Sequence, residues 1–261
     1  MKQITLLAVA LAAMAVMGTQ HANAAAVASL NDWCFNVNGD VADLCNGGAT
    51  PTLTGTVNGV GVSGNMDLTL ASADPLWTQE AAQNNLGSAS FVLGPGANQY
   101  VNAYMDYDLN YNNEGSYSDY GTVNGALPGG YSYEIDDPNS SNIFGDFSSN
   151  ALTNQNNVGT FSEAPNPCCD VSWALGVEVS VANGYQDTVT FTVSDTAPAS
   201  GFYLQQTNGI DTSQNIYLSA TVTSQQVGPA GIPEPGTFLL LGAGLAGLAG
   251  WRVRARRQAN V

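Results

Sequence analysis

Apolar and polar positions alternate with a period of two along most of the chain from Ala25 to Val222, the signature of half-buried strands. The cleanest run places Val101, Ala103, Met105, Tyr107, Leu109 and Tyr111 on one face and Asn102, Tyr104, Asp106, Asp108 and Asn110 on the other. Phe91-Val-Leu93 stops at the turn signal Gly94-Pro95-Gly96. Trp173, Leu175, Val177, Val179 and Val181 form a second inward row, closed by Asn183-Gly184, a pair that favours a hairpin. Val189, Phe191 and Val193 resume the alternation beyond it. Phe202-Tyr-Leu204 and Ile216 through Val222 read as the last two strands. Leu53 to Val62 and Met66 to Leu70 read as a weaker, glycine-interrupted hairpin. About nine to eleven short strands predict an all-β fold, a β-sandwich of jelly-roll type. Thr78 to Leu86 reads as one short helix crossing an edge, and the Asn-, Ser- and Asp-rich stretch 136–159 as a long surface excursion. No fixed-period repeat interrupts the pattern, so one domain is expected.

Both ends depart from the alternation. Met1-Lys2-Gln3 is a short positive region, Ile4 to Gly18 is continuously apolar, and Ala22-Asn23-Ala24 puts small residues where signal peptidase reads them. Residues 1–24 are therefore expected to be a signal peptide cleaved after Ala24, leaving an exported domain over 25–223. A polar, Gly- and Pro-containing tether follows over 224–231, and then a tripartite tail over 232–257.

In that tail Pro233 and Pro235 hold Glu234 extended, because proline fixes its own φ and disfavours helix in the residue before it. From Gly236 to Trp251 no charge appears, so the stretch can enter lipid as a single transmembrane helix. At ~1.5 Å per residue it reaches only ~24 Å, short of a hydrocarbon core about 30 Å thick. Trp251 at the interface and snorkelling arginines help such a short span. Arg252, Arg254, Arg256 and Arg257 would be held on the cytoplasmic side. Gly242, Gly244, Gly247 and Gly250 leave a small-residue face open to another membrane helix.

The motif Pro233-Glu234-Pro235, the apolar helix and the arginine cluster, in this order, resemble the PEP-CTERM sorting tail of bacterial exported proteins. The resemblance covers about a tenth of the chain. It implies recognition by exosortase, a membrane-embedded cysteine protease or transpeptidase of Gram-negative bacteria that make extracellular polysaccharide. It also implies a precursor anchored transiently in the inner membrane and a mature protein at the cell surface or in the matrix. The same tail is also known as an ice-binding protein C-terminal segment, which does not by itself imply ice binding. The plainer reading of the tail is a single-pass anchor that is never processed.

Charge changes the picture most. The chain has 5 Lys plus Arg, 21 Asp plus Glu and 1 His. Lys2 and His21 lie in the signal peptide and all four arginines follow Trp251, so nothing basic stands between Ala25 and Trp251, where all 21 acids fall. Nucleic-acid binding, which needs cations to replace phosphate counterions, is excluded, as is adhesion to anionic lipid by a basic patch. Catalysis loses its His, Lys and Arg, and with them Ser-His-Asp, Cys-His and His-zinc arrangements. Carboxylate-only glycan hydrolysis survives as chemistry, with no placement that favours it. The chain reads as no enzyme.

Four cysteines in an exported chain suggest disulfides. Cys34 and Cys45 flank Asn38-Gly39-Asp40, which can turn the chain back, so they are expected to pair. Adjacent Cys168 and Cys169 stay open between a strained vicinal bridge and separate bridges to the N-terminal pair. No cofactor is required, but carboxylates invite Ca²⁺. Asp106 and Asp108 stand at alternate positions, and Glu134 and Asp136, with Asp137, mark a strand end; these are the candidate calcium ligands. The plainer reading of the Asp106 row is a solvated strand face. Tyrosines between Tyr100 and Tyr133 offer a sugar-stacking platform or, more plainly, packing between sheets. Thr188-Val-Thr190-Phe-Thr192 is one outward threonine row, too little to argue for ice binding. The function expected is a structural or binding role in the cell envelope or extracellular matrix. Polysaccharide binding is the alternative and glycan hydrolysis a distant third. Exosortase and signal peptidase are the expected partners.

Overall fold

The computed structural model describes residues 28–41, 44–45, 53–68, 86–109, 119–139, 141–159 and 170–227, together with 240, 241 and 243. The signal peptide, the helix expected from Thr78, Cys168, Cys169, the Pro233–Pro235 motif and the arginine cluster lie outside the described residues. The chain divides into two units, Met1–Ser224 and Gln225–Val261. In the second, the described residues Leu240, Leu241 and Ala243 are helical and exposed. No helix among the described residues is long and apolar enough to cross a membrane.

The alternating segments become twelve strands among the described residues. In order these are β1 (Ala28–Val37), β2 (Thr54–Val57), β3 (Val60–Gly64), β4 (Gly87–Leu93), β5 (Gly96–Leu109), β6 (Asp119–Asn124) and β7 (Tyr131–Asp136). There follow α1 (Ile143–Ser148), β8 (Gln155–Asn156), β9 (Ser172–Val181), β10 (Tyr185–Ser194), β11 (Tyr203–Asn208) and β12 (Asn215–Gln226). They form two sandwich-like sheets: five strands in the order β1-β5-β9-β7-β8, and seven in the order β2-β3-β4-β10-β12-β11-β6. The last strand runs three residues into the stretch read as a tether.

The inward rows of both sheets make one core. Phe35 of the smaller sheet meets Phe91 of the larger at 5.2 Å between ring centroids, and Phe191 closes the cluster at 6.1 Å from Phe91. Within the smaller sheet Met105 sits between Trp33 and Trp173 in register, all three fully buried. Cys34 and Cys45 are disulfide-bonded as expected, across a turn in which Asn38 and Gly39 both take positive φ.

Three expectations need correction. Asn183-Gly184 turns the chain, but β9 and β10 lie in different sheets, so it carries the chain over the edge of the core and closes no ladder. The apolar rows of both strands face the core from opposite sides, which an in-sheet pairing would not allow. The early hairpin turns at Asn58-Gly59, where both residues have positive φ, so β2 and β3 both come from Leu53–Val62 and its flank. Met66 to Leu68 is buried coil and no strand. Finally, residues 136–159 are no surface excursion. Ile143, Phe147 and Leu152 are buried against Cys34, Tyr104 and Ala174 on the outward face of the smaller sheet. The carbonyls of Phe147 and Ser148, at the C-terminal end of this short helix, accept hydrogen bonds from the Asn36 amide, and Asn102 donates to Phe147 as well.

The inter-sheet aromatic cluster sets the expected mutational pattern. Phe91→Ala should cost about 3–5 kcal/mol in denaturant unfolding, whereas Thr190→Ala, one strand away on the outward face, should stay within about 0.5 kcal/mol.

Candidate functional site

β5 is paired on both sides, and its polar row lies under α1 and the flanking coil, so both of its faces are buried from Val101 to Leu109. The expected solvated face is therefore corrected: Asp106 and Asp108 are inside the protein. Antiparallel register lines up further groups beside them. Asp32 of β1 pairs with Asp106, Asp106 pairs with Ser172 of β9, and Ser172 pairs with Asp136 of β7, giving one polar line across four strands. Asp170 closes the cluster from the residues just before β9.

A β-bulge puts Asp32 on that line. The register shifts between Leu30 and Asp32, which lets Leu30 and Trp33 both point into the core although they are three residues apart. Asn31, displaced from the ladder, donates its amide to Asp108 Oδ2 at 2.6 Å. Asp170 Oδ2 accepts from Asn139 at 3.3 Å, and the Tyr104 and Ser172 hydroxyls are 3.0 Å apart.

These donors are too few. Asp32 Oδ1, Asp106 Oδ1 and Asp170 Oδ1 are buried without a hydrogen-bond partner, in residues that include Asp106 at 8% and Asp170 at 9% exposure. Burial pushes the Asp106 carboxyl up to about 8, with the charges of Asp170, Asp108 and Asp32 adding to it and Ser172 opposing. Burial, then Asp108 and Asp137, raises Asp170 to about 7. Asp32 and Asp108 are raised by burial too. Asp119 rises to about 7 through burial, although Leu109 N–H and the Gln206 amide both donate to it. With no basic side chain to counter them, burial and mutual repulsion shift all these groups toward the protonated form, Asp106, Asp170 and Asp119 furthest.

The other candidate ligands are drawn elsewhere. Glu134 accepts from Thr153 N–H and its hydroxyl, at 3.0 and 2.9 Å, and Asp136 accepts from the Asn157 amide at 2.6 Å. The structure thus groups Asp106 and Asp108 with Asp32 and Asp170, while both oxygens of Asp136 and one of Glu134 are taken by other donors. Among the described residues no three carboxylates, thiolates or imidazoles stand in metal-holding geometry. Asp32 and Asp170 were missed by sequence reasoning; the three-residue spacing of Leu30 and Trp33 was the available signal for Asp32. Among the described residues the tyrosines between Tyr100 and Tyr133 form no single platform. Tyr107 packs edge-on against Trp173 in the core, Tyr104 lies beneath α1 against Phe147, and Tyr133 packs against Phe202.

Comparison with known proteins identifies the tail. Residues 231–257 match the family model of the PEP-CTERM protein-sorting motif, a span that takes in Pro233, Glu234, Pro235 and all four arginines. The motif marks an exported chain addressed to exosortase. No curated protein and no solved structure matches the chain.

The carboxylate cluster makes stability depend on pH in a stated direction. Its folded pKa values, about 7 to about 8, lie above the ordinary 3.8, so the folded chain binds more protons than the unfolded one between those limits. The stabilisation is complete below about pH 4 and is lost as pH rises through 7 to 8. The melting midpoint, measured in chelator, should fall between pH 5 and pH 8.5. Asp106→Asn should flatten that fall and raise stability at pH 8.5, by on the order of 1 kcal/mol.

Proposed function

We propose that the chain is a non-catalytic structural or binding protein of the cell envelope or extracellular matrix, delivered there through exosortase. The observation that carries this reading is the sorting-motif match over 231–257. Signal peptidase acts after Ala24 and frees an N-terminus near Ala25. The apolar stretch from Gly236 to Trp251 holds the precursor in the inner membrane, with Arg252 to Arg257 on the cytoplasmic side. Pro233-Glu234-Pro235 presents an extended strip to the processing enzyme.

The non-catalytic part of the reading rests on residue chemistry. Between Ala25 and Trp251 there is no His, Lys or Arg to act as base, nucleophile or anion clamp. The carboxylates with the most displaced pKa values, Asp106, Asp119 and Asp170, are buried. Glycosidase carboxylates must flank a bound sugar, about 5–9.5 Å apart.

Mass spectrometry of the protein from its native host tests the route. We expect an N-terminus near Ala25 and a C-terminus near Pro233–Pro235; retention of Arg252 to Val261 would make the tail a plain anchor and end the processing reading. Replacing Pro233, Glu234 and Pro235 by alanine should leave the unprocessed chain in the membrane fraction.

A further inference from the structure

The outward face of the larger sheet departs from the rest of the molecule in its charge. Register places its side chains in three rows across β6, β11 and β12: Asn124-Tyr203-Ser219, Thr122-Gln205-Tyr217 and Tyr120-Thr207-Asn215. None is charged. The same holds on β10 and β4, where Thr190 stands opposite Ser90 with their hydroxyls 2.8 Å apart. In a chain with 21 carboxylates, a sheet face that has none among the described residues and carries hydroxyls and amides instead is a distinct surface.

Its side chains are held in place. Gln205 donates to Asn215 at 2.8 Å and to Thr207 at 3.0 Å, Thr207 donates to Asn215 at 2.6 Å, and Asn124 donates to Gln205 at 3.3 Å. Tyr203 and Tyr217 meet edge to face at 5.8 Å, each half-buried with part of its ring open to solvent. A network so ordered spends little entropy on binding.

We propose that this face binds a neutral polysaccharide. The chemistry selects that partner over others. A sugar chain presents hydroxyls that donate and accept, which amides and hydroxyls answer in kind, and C–H faces that lie on aromatic rings. Protein partners call for an apolar centre, and this grid has none beyond its tyrosine rings. Nucleic acid and anionic lipid need cations. An acidic glycan is repelled by the net charge of the chain, and a cationic one is drawn to the carboxylates elsewhere. The site deepens the binding half of the function proposed above and rests on it, but it operates in vitro whether or not the tail is processed. A retained tail therefore leaves it standing, and its own failure leaves the sorting route untouched.

Affinity electrophoresis of the full-length chain in mild detergent tests it, since a net charge of −16 carries the protein toward the anode. Gels would contain hydroxyethylcellulose, arabinoxylan, galactomannan or dextran, with alginate as the acidic comparison. We expect retardation by at least one neutral polysaccharide and none by alginate. Tyr203→Ala with Tyr217→Ala should weaken it about tenfold or more, and Tyr203→Phe with Tyr217→Phe should hold within about threefold. Circular dichroism establishes that each variant folds; should the alanine pair not fold, Ser219→Glu, opposite Tyr203, is read in its place with the same expected loss. No retardation by any neutral polysaccharide overturns the proposal, as does equal retardation of the wild type and the ring-deleted variant. A dimer seen by light scattering and dissolved by the same variant, without glycan binding, gives the face to a second copy and also overturns it.

Discussion

Every carboxylate in the exported part of this chain must find its partner without a cationic side chain. No Lys, Arg or His lies between Ala25 and Trp251, so amides, hydroxyls, backbone N–H groups and protons do all the balancing. Much of the polar architecture follows. Asp108 leans on Asn31, Asp119 on Gln206 and Leu109 N–H, Asp187 on Ser224, and Glu134 on Thr153. Such donors strengthen a carboxylate's hydrogen bonds but bring no opposite charge to offset its own. Where they run short, at Asp32, Asp106 and Asp170, desolvation outweighs the few hydrogen bonds and shifts the carboxyls toward the protonated form.

The same constraint shapes the smaller sheet. Its inward face is an ordinary apolar surface, but its outward face is buried as well along β5 from Val101 to Leu109, whereas antiparallel sheets commonly leave one face to solvent. α1 and its flanks cover that face, and the two asparagines Asn36 and Asn102, themselves fully buried, satisfy the helix's terminal carbonyls. A charged residue in their place would have no counter-ion in this chain. Asparagine is the side chain that can bind a carbonyl there at no electrostatic cost, and the disulfide between Cys34 and Cys45 packs beside it in the same layer.

How far such a structure can be read from its residues depends on what period two encodes. Alternation at Val101–Leu109 identifies two faces and shows which is the more apolar; it does not say that the second is bare. What covers it, residues 141–159, looks polar, and only Ile143 and Phe147, four apart, give away a helix face. Turn chemistry is similarly local. Asn58-Gly59 and Asn183-Gly184 are both legible as turns, but only the first joins paired strands, because sheet membership is decided by which side of the core each apolar row must face. The bulge at Asn31 shifts every later residue of β1 to the opposite face from the one a regular strand would give it. Asp32 therefore enters the acidic cluster through a defect in the alternation, while Asp170 enters through tertiary packing that leaves no periodic trace.

Charge also separates the two units of the chain in a way that export makes consequential. All four arginines belong to the tail and all but one of the 21 acids precede it, the exception being Glu234 within the motif. A protein so one-sided repels its own copies over roughly a Debye length, ~8 Å at physiological ionic strength. Repulsion is weakest where carboxylates are absent, along the uncharged rows of the larger sheet. The side of the domain that can approach another surface closely is thus set by where the chain leaves acids out, and hydroxyls, amides and tyrosine rings decide what that surface has to be.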